Sequence, residues 1–174
     1  YRPRLYWFVG PEFDDCRPEF RFLWETYQEL EEALGQKLIK SVSFPDEGSC
    51  KLELVTGTVF ETRSAENPAK CMSGRGPQGI IYCEAGRLTR ELWDRGQSRL
   101  ARSEEPGAPG WSWGSGIIQD SLPWFLELFE AGEQPQNVHD LTVYRMPAWS
   151  NSAIFPGGRT DPKILALEAR LSTT

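Results

Sequence analysis

The feature that most constrains the fold is an uninterrupted apolar run at residues 5–9 (LYWFV), which is stopped by Gly10 and Pro11. A short apolar run bounded by turn residues is typical of a strand that is buried on both faces, as in a parallel sheet. Residues 79–83 (GIIYC) show the same character later in the chain. The two runs therefore predict a sheet whose interior strands are covered on both sides.

Helical patterns follow these runs. Apolar residues recur at three- and four-residue steps over 20–34, Asp14 or Asp15 can cap the start, and Gly35 can end the helix. Pro18 fits the first turn. Further helices are predicted to begin at Leu88, at a Ser121 cap and at Ile164.

The remaining strands are predicted from alternation and turn residues. Residues 51–55 and 58–63 alternate across a short turn and predict a β-hairpin, with 38–44 as a neighbouring strand. Residues 111–118 and 141–146 are further strand candidates. Strands that alternate with helices predict an α/β fold with a mainly parallel sheet.

The composition fits one packed globular domain. The 174 residues are 39% hydrophobic and carry 19 basic and 25 acidic side chains, a formal net charge of −6. These values exclude a disordered or collagen-like chain, and no apolar run approaches the ~20 residues of a membrane span. The acidic balance also argues against a protein that coats nucleic acid by charge alone. Because the first residue is Tyr1 rather than Met, we expect a fragment or a processed piece.

One local basic pattern departs from the acidic balance. Arg95, Arg99 and Arg102 are spaced four and three residues apart, so a helix would place them on one face as a contact for DNA. Gly96 lies within that span and weakens the helix prediction. The alternative is a solvated helix face whose charge is balanced by acidic neighbours such as Glu91.

The cysteines and the histidine do not predict a metal site. Cys16, Cys50, Cys71 and Cys83 have no Cys-x-x-Cys spacing, and His139 is the single histidine of the sequence. A zinc site needs closely spaced Cys and His pairs. Two disulfides are not expected in a chain of this length and core size, so we expect four reduced thiols.

The sharpest candidate for chemistry is Glu84, which directly follows the apolar run 79–83. Open α/β sheets bind ligands beyond the carboxyl ends of their strands, where this carboxylate is expected. In nucleotide hydrolases this strand usually ends in an acid pair, in which an Asp holds Mg²⁺ and the following Glu polarises the attacking water. Cys83 occupies the Asp position here, and a thiol is a poor ligand for Mg²⁺. The simpler alternative is a strand end whose acid meets solvent.

Several short motifs follow one another in an order that is more specific than any one of them. They are FVGP at 8–11, RSAENP at 63–68, GRG at 74–76, GIIYCEA at 79–85, SG at 115–116, WFLELF at 124–129, PAWSN at 147–151 and LEAR at 167–170. In this series the chain resembles the large terminase subunit of tailed bacteriophages, the motor ATPase that packages DNA into procapsids. The resemblance covers almost the whole chain.

The resemblance implies a P-loop NTPase-like fold of the ASCE or RecA-like kind, with a mainly parallel sheet flanked by helices. Residues 1–147 would be the central and C-terminal part of the ATPase domain, and 148–174 a linker toward a nuclease domain outside the chain. The sequence has no Gly-x-x-x-x-Gly-Lys-Ser/Thr motif, so the phosphate-binding loop would lie upstream. We therefore expect the 174 residues alone to be inactive.

The resemblance also implies roles for single residues, with ATP and Mg²⁺ as ligands. Glu84 would be the catalytic glutamate, and Cys83 would lie next to the nucleotide and Mg²⁺. Ser115 and Gly116 would sense the nucleotide and transmit its state to the part of the protein that grips DNA.

An arginine finger, which stabilises the charge of the transferred phosphoryl group, is expected in the loop at 73–76. The family commonly has an Arg immediately before the glycine that corresponds to Gly74, but this sequence has Ser73 there. Arg75 is therefore the predicted substitute. The alternative for Arg75 is a loop charge in solvent.

The partners implied by the resemblance are double-stranded DNA, the portal protein and the small terminase subunit. The chain would belong to a homo-oligomeric ring on the portal, in the cytoplasm of the infected bacterial host and away from any membrane. Two other functions stay open. A different nucleic-acid motor such as a helicase would share this core, and a decayed α/β interaction module would explain Cys83 and the unusual Ile117 and Ile118 at the coupling position.

Overall fold

The computed structural model describes residues 3–101, 110–118, 122–136 and 140–171. The chain divides into two compact units, Tyr1–Glu127 and Leu128–Thr174. This structural division does not coincide with the boundary that the resemblance predicts between 147 and 148, and the assignment of those two parts to an ATPase domain and a linker stays a prediction. The sequence features that lie outside the described residues are Arg102, Ser121 and His139.

The first unit is built on a sheet of six strands. They are β1 (Leu5–Gly10), β2 (Ile39–Ser43), β3 (Lys51–Leu54), β4 (Val59–Ser64), β5 (Gly79–Tyr82) and β6 (Trp111–Gly114). The order across the sheet is β2-β3-β4-β1-β5-β6. β1 pairs in parallel with β4 and β5, and β5 pairs in parallel with β6, whereas β3 pairs antiparallel with β2 and β4. The predicted α/β class with a mostly parallel sheet is confirmed, and β1 and β5 are interior strands.

Helices flank this sheet and form much of the second unit. The helices are α1 (Phe13–Leu34), α2 (Pro68–Cys71), α3 (Arg90–Leu100), α4 (Trp124–Glu133) and α5 (Pro162–Leu171), with 3₁₀ turns at Ala85–Arg87, Ala148–Ser150 and Gly158–Thr160. None of the helices in the described part of the chain has the length and apolar character needed to cross a membrane.

The C-terminal end of α1 agrees with the sequence prediction, whereas the N-terminal end does not. The N-cap residue is Glu12 rather than Asp14 or Asp15. Asp15 stabilises this end as the third helical residue, because its Oδ2 accepts a 2.9 Å hydrogen bond from the Glu12 amide. Pro18 lies in the second turn rather than the first. Gly35 ends the helix as predicted, in the left-handed conformation with φ 59°.

Both faces of the sheet are covered at β1 and β5. On one face α1 packs on a buried cluster that includes Phe8, Cys16, Phe20, Leu52 and Cys83. On the opposite face α3 packs on the sheet, and the buried side chains there include Trp7, Ile80, Tyr82 and Leu92. The four cysteines are free thiols, and all of them are buried.

Gly96 permits the close approach of α3 to β5. A Cβ at this position would collide with the hydroxyl of Tyr82 and would lie 3.3 Å from the end of Ile80. The glycine that weakens α3 as a helix is therefore required at the point where the helix crosses the strand.

The strand predicted at residues 141–146 is wrong, because this segment has no strand pairing. Its side chains pack on α4 instead. Arg145 forms a 3.5 Å ion pair with Glu133, and Val143 fills the space above Gly132. Leu141 and Val143 both lie close to Gly132, so a helix rather than a neighbouring strand contacts this segment.

Candidate functional site

The parallel strands β4, β1, β5 and β6 end along one edge of the sheet, which we call the carboxyl edge. The residues that leave the strands there are Gly10, Ser64, Glu84 and Ser115. A 2.8 Å hydrogen bond from the Cys83 amide to the Val9 carbonyl extends the pairing of β5 and β1 up to this edge. Open α/β sheets bind their ligands at such an edge, so its side chains are the first place to look for chemistry.

Glu84 lies at the carboxyl edge, where its backbone has φ 51° and ψ 46°. A left-handed conformation is uncommon for any residue other than glycine, and it persists only where the surroundings impose it. The 3₁₀ turn Ala85–Arg87 begins here, with a 2.8 Å hydrogen bond from the Arg87 amide to the Glu84 carbonyl. The side chain is half-buried, and no hydrogen bond or ion pair within the described part of the chain holds its carboxylate. That carboxylate can therefore accept a hydrogen bond from a ligand or a water.

Ser115 and Gly116 lie directly against Glu84. β6 ends at Gly114, so the strand predicted at 111–118 is shorter than expected and this pair belongs to the segment that leaves it. The Ser115 amide donates to the Tyr82 carbonyl at 3.0 Å, and the Ser115 carbonyl accepts from the Ala85 amide at 2.7 Å. The backbone of the predicted coupling segment thus clamps the chain on both sides of Glu84.

The thiol of Cys83 is not accessible from the carboxyl edge. Its side chain is fully buried in the cluster under α1. Hydrogen bonding to the Cys16 thiol raises the pKa of Cys83, and burial and the nearby Glu19 carboxylate raise it further. The thiol therefore stays protonated at neutral pH and packs as an apolar side chain.

Mg²⁺ does not fit the residues of the carboxyl edge by themselves. The ion requires oxygen ligands in octahedral geometry, and the position before Glu84 supplies a buried protonated thiol instead. Within the described ranges no group of three or more His, Cys, Asp and Glu side chains is placed to hold a metal ion. The sequence also contains no phosphate-binding loop motif.

An ion pair at the carboxyl edge, between Arg87 and Asp15, was not predicted from the sequence. Arg87 donates from Nη1 to Oδ1 of Asp15 at 2.6 Å, and the other oxygen of Asp15 accepts from the Glu12 amide. The pair ties the turn after Glu84 to the start of α1. The partners are 72 residues apart, and no local sequence pattern indicates that they meet.

Arg75 lies at the amino ends of the parallel strands, on the side of the sheet opposite the carboxyl edge. Its Nη2 donates at 3.1 Å to the carbonyl of Pro3, just before the start of β1. Glu84 follows the far end of β5, which runs parallel to β1. Within one chain the structure brings Glu84, Ser115 and Gly116 together and leaves Arg75 apart from them. The role of Arg75 as an arginine finger stays a prediction.

Comparison with known proteins gives similarity at the level of structure. Neither a protein-family model nor a curated protein matches the sequence. A mutant of the large terminase ATPase domain from Thermus phage P74-26 superposes with a TM-score of 0.54 at 17% identity, over 86% of this chain and 58% of that chain. This chain therefore spans 58% of the length of that domain.

Two structures of the large terminase from a thermophilic bacteriophage also match. The one in complex with ADP has a TM-score of 0.42 at 11% identity over 66% of this chain and 26% of that chain. The other has a TM-score of 0.47 at 8% identity over 76% and 31%. Of the three, the Thermus phage domain supports the fold, six mostly parallel strands flanked by helices.

Proposed function

We propose that the chain is part of the ATPase motor of a phage large terminase, which hydrolyses ATP to move double-stranded DNA into a procapsid. The observation that carries the proposal is the half-buried carboxylate of Glu84 at the tip of an interior parallel strand, clamped by the backbone of Ser115. The fold shared with the Thermus phage terminase ATPase domain supports the same function.

In the proposed reaction Glu84 accepts a hydrogen bond from a water molecule and orients it toward the terminal phosphorus of ATP. The water oxygen forms the new bond to phosphorus, the bond from phosphorus to the bridging oxygen of ADP breaks, and the water proton passes to Glu84 or to solvent. A positioned carboxylate of this kind contributes about 10²–10⁴-fold in rate. In the proposed motor the phosphates and Mg²⁺ are held mainly by a phosphate-binding loop upstream in the complete protein, since residues 1–174 contain no such motif.

The backbone hydrogen bonds of Ser115 to the residues around Glu84 support the proposed coupling role. Hydrogen bonds to Tyr82 and Ala85 bracket Glu84, so a change in the backbone at Glu84 displaces Ser115 and with it the end of β6. In the proposed motor this displacement passes from the nucleotide to the part that grips DNA. In the same proposal the chain assembles into a homo-oligomeric ring on the portal and has the small terminase subunit as a partner. The motor would act in the cytoplasm of the bacterial host.

The proposal is tested by Glu84→Gln in the complete protein. The amide keeps the size of the side chain but is a poor acceptor for the water proton. We expect ATP turnover to fall at least about 100-fold while ATP binding changes less than about threefold. Glu29→Gln on the exposed side of α1 is the matched control and should keep full turnover. Undiminished turnover in the Glu84 variant would remove this residue from the reaction.

A second function, a decayed α/β interaction module, is favoured by the buried thiol of Cys83 in the acid position. The two functions differ in the turnover of the unmodified protein. Steady ATP hydrolysis that Glu84→Gln abolishes excludes decay, whereas binding of ATP without turnover supports it.

A further inference from the structure

A shallow depression lies between α2 and α3 on the face of the first unit that α3 covers. Its volume is about 190 Å³. The lining residues are Ala69, Met72, Arg95, Ser98 and Arg99. Two arginines of the sequence pattern spaced by four residues therefore border the same concave surface.

The walls of the depression are fixed by contacts outside it. Arg63 donates from Nη1 to the carbonyls of Cys71 and Ser73 at 2.5 and 2.8 Å, which holds the chain after α2 on the sheet. The loop then passes close to the end of α3, because a Cβ on Gly76 would lie 3.1 Å from the carbonyl oxygen of Arg99. The concave shape is thus set by the fold rather than by exposed side chains alone.

The charges around the depression are unevenly paired. Arg95 forms an ion pair of 2.7 Å with Glu91. Arg99 is half-buried, and within the described ranges no carboxylate lies within ion-pair distance of its guanidinium. Lys70 of α2, which follows the lining residue Ala69, is exposed and likewise has no ion pair with a described residue. In a chain with a net charge of −6 this surface is locally positive.

We propose that this depression binds a backbone phosphate of double-stranded DNA through Arg99 and Arg95. The inference rests on the proposed function, which supplies DNA as the partner. A guanidinium presents parallel N–H donors that match two oxygens of a phosphate, and its charge replaces a condensed counterion of the duplex. Because the contact is made to the phosphate backbone and not to base edges, it carries no sequence preference.

The test measures binding of a fluorescent duplex of about 30 base pairs to the complete protein without nucleotide, at several salt concentrations. Arg99→Gln removes the unpaired charge. We expect it to weaken binding about three- to tenfold at about 0.1 M salt and to lower the slope of log Kd against log salt by about one. Arg90→Gln is the matched control, because Arg90 lies on the same helix but pairs with Asp94 at 2.9 Å outside the depression. It should change binding less than twofold.

The outcomes separate this surface from a merely structural arginine. Arg99 lies in the last turn of α3, where a cation also stabilises the helix dipole. Arg99→Lys keeps that charge but loses the paired donors, and it should restore less than half of the lost affinity. Equal weakening by the Arg90 and Arg99 variants, or none by either, overturns the proposal. If Arg99→Gln does not fold, Arg99→Lys is compared with the unmodified protein instead, and an unchanged duplex affinity in that variant overturns the proposal.

Binding of inorganic phosphate distinguishes a general anion pocket from a DNA contact. If Arg99→Gln loses phosphate binding, followed by phosphorus NMR, but keeps its duplex affinity, the DNA assignment is wrong. These measurements do not depend on ATP turnover. A protein that binds duplex through Arg99 but does not hydrolyse ATP would leave this inference standing while the ATPase function fails.

Discussion

The main chain of Gly116 lies against the amide nitrogen of Ala85, the residue that follows Glu84. A Cβ built on Gly116 would come within 2.8 Å of that nitrogen and within 3.2 Å of the carbonyl carbon of Glu84. Real Cβ atoms do not approach backbone so closely, so any side chain here must push the two segments apart. The position of the candidate catalytic carboxylate therefore depends on a glycine 32 residues further along the chain.

Gly116→Ala should displace Glu84 and weaken the pairing of Ser115 with Ala85. We expect the free energy of unfolding to fall by about 1–3 kcal/mol, and ATP turnover of the complete protein to fall by more than the loss of folded protein explains. Urea unfolding and steady-state turnover measure the two effects. Gly114→Ala is the matched control, because its Cβ would make only ordinary contacts of 3.6 Å with Ala85 and Phe125. Similar losses in both variants would contradict the special role of Gly116.

The approach of α3 to β5 gives a second prediction. Gly96→Ala places a methyl group on the Tyr82 hydroxyl and should cost about 1–3 kcal/mol of stability. That hydroxyl is buried without a hydrogen-bond partner in the described part of the chain, so Tyr82→Phe should cost less than about 0.5 kcal/mol. In the double variant the hydroxyl is absent and the new Cβ meets the ring carbon Cζ of residue 82 at 3.1 Å and the end of Ile80 at 3.3 Å, so Gly96→Ala should cost less there than in the unmodified protein. Urea unfolding of the four proteins measures the coupling, and an equal cost of Gly96→Ala in both backgrounds would refute it.

The interior strands and their order relative to the helices could be predicted, because burial on both faces requires a short apolar run that is visible in the sequence. Leu5–Gly10 and Gly79–Tyr82 are short apolar runs with turn residues close by, and Gly35 marks the end of α1 by its conformational freedom. The position of Glu84 follows from the same pattern, since Glu84 is the first charged residue after such an apolar run. These features depend on a few neighbouring residues, which the sequence displays directly.

The details of the candidate site depend on residues that meet only in the folded chain. The register between β5 and β6 brings Ser115 onto Ala85, and the turn after Glu84 brings Arg87 onto Asp15. Local patterns do not reveal such pairs. The same limit explains why a carboxyl-edge thiol could not be distinguished from a core thiol: the direction of the Cys83 side chain depends on how α1 packs.

Buried thiols predict how stability changes with pH. Burial raises the pKa of Cys71 to about 11, and it also raises that of Cys50. In the unfolded chain a thiol ionises near pH ~8.5, so above that pH the unfolded state loses protons that the folded state keeps. The free energy of unfolding should be insensitive to these groups below about pH 8 and should fall between about pH 8.5 and 11, by up to ~1.4 kcal/mol per pH unit for each thiol.

Urea unfolding at about pH 7.5, 9 and 10.5 tests this dependence. Cys71→Ala removes one of the thiols, so its stability should fall less steeply over the same interval even if the variant starts from a lower value. A curve parallel to that of the unmodified protein would show that Cys71 ionises as readily in the folded chain as in the unfolded one.

Arg63 is a charged side chain on which the stability of the first unit should depend strongly. Its guanidinium lies 3.7 Å from the centre of the Trp7 ring, pairs with Glu61 at 2.6 Å and donates to the carbonyls of Cys71 and Ser73. The side chain is only 19% exposed, so these hydrogen bonds are largely shielded from water.

Arg63→Met keeps most of the apolar stem but leaves Glu61 and two carbonyls without their donor, which should cost about 2–4 kcal/mol. Arg63→Lys keeps the charge but cannot reach all of these acceptors at once, and it should recover less than half of that loss. The exposed Arg21, whose guanidinium lies 5.3 Å from the centre of the Phe44 ring, provides the control: Arg21→Met should cost less than about 1 kcal/mol. Urea unfolding of the three variants measures these costs. If Arg63→Lys were as stable as the unmodified protein, charge alone would hold this part of the fold, and the planar fork of the guanidinium would have no role in fixing the loop beside α3.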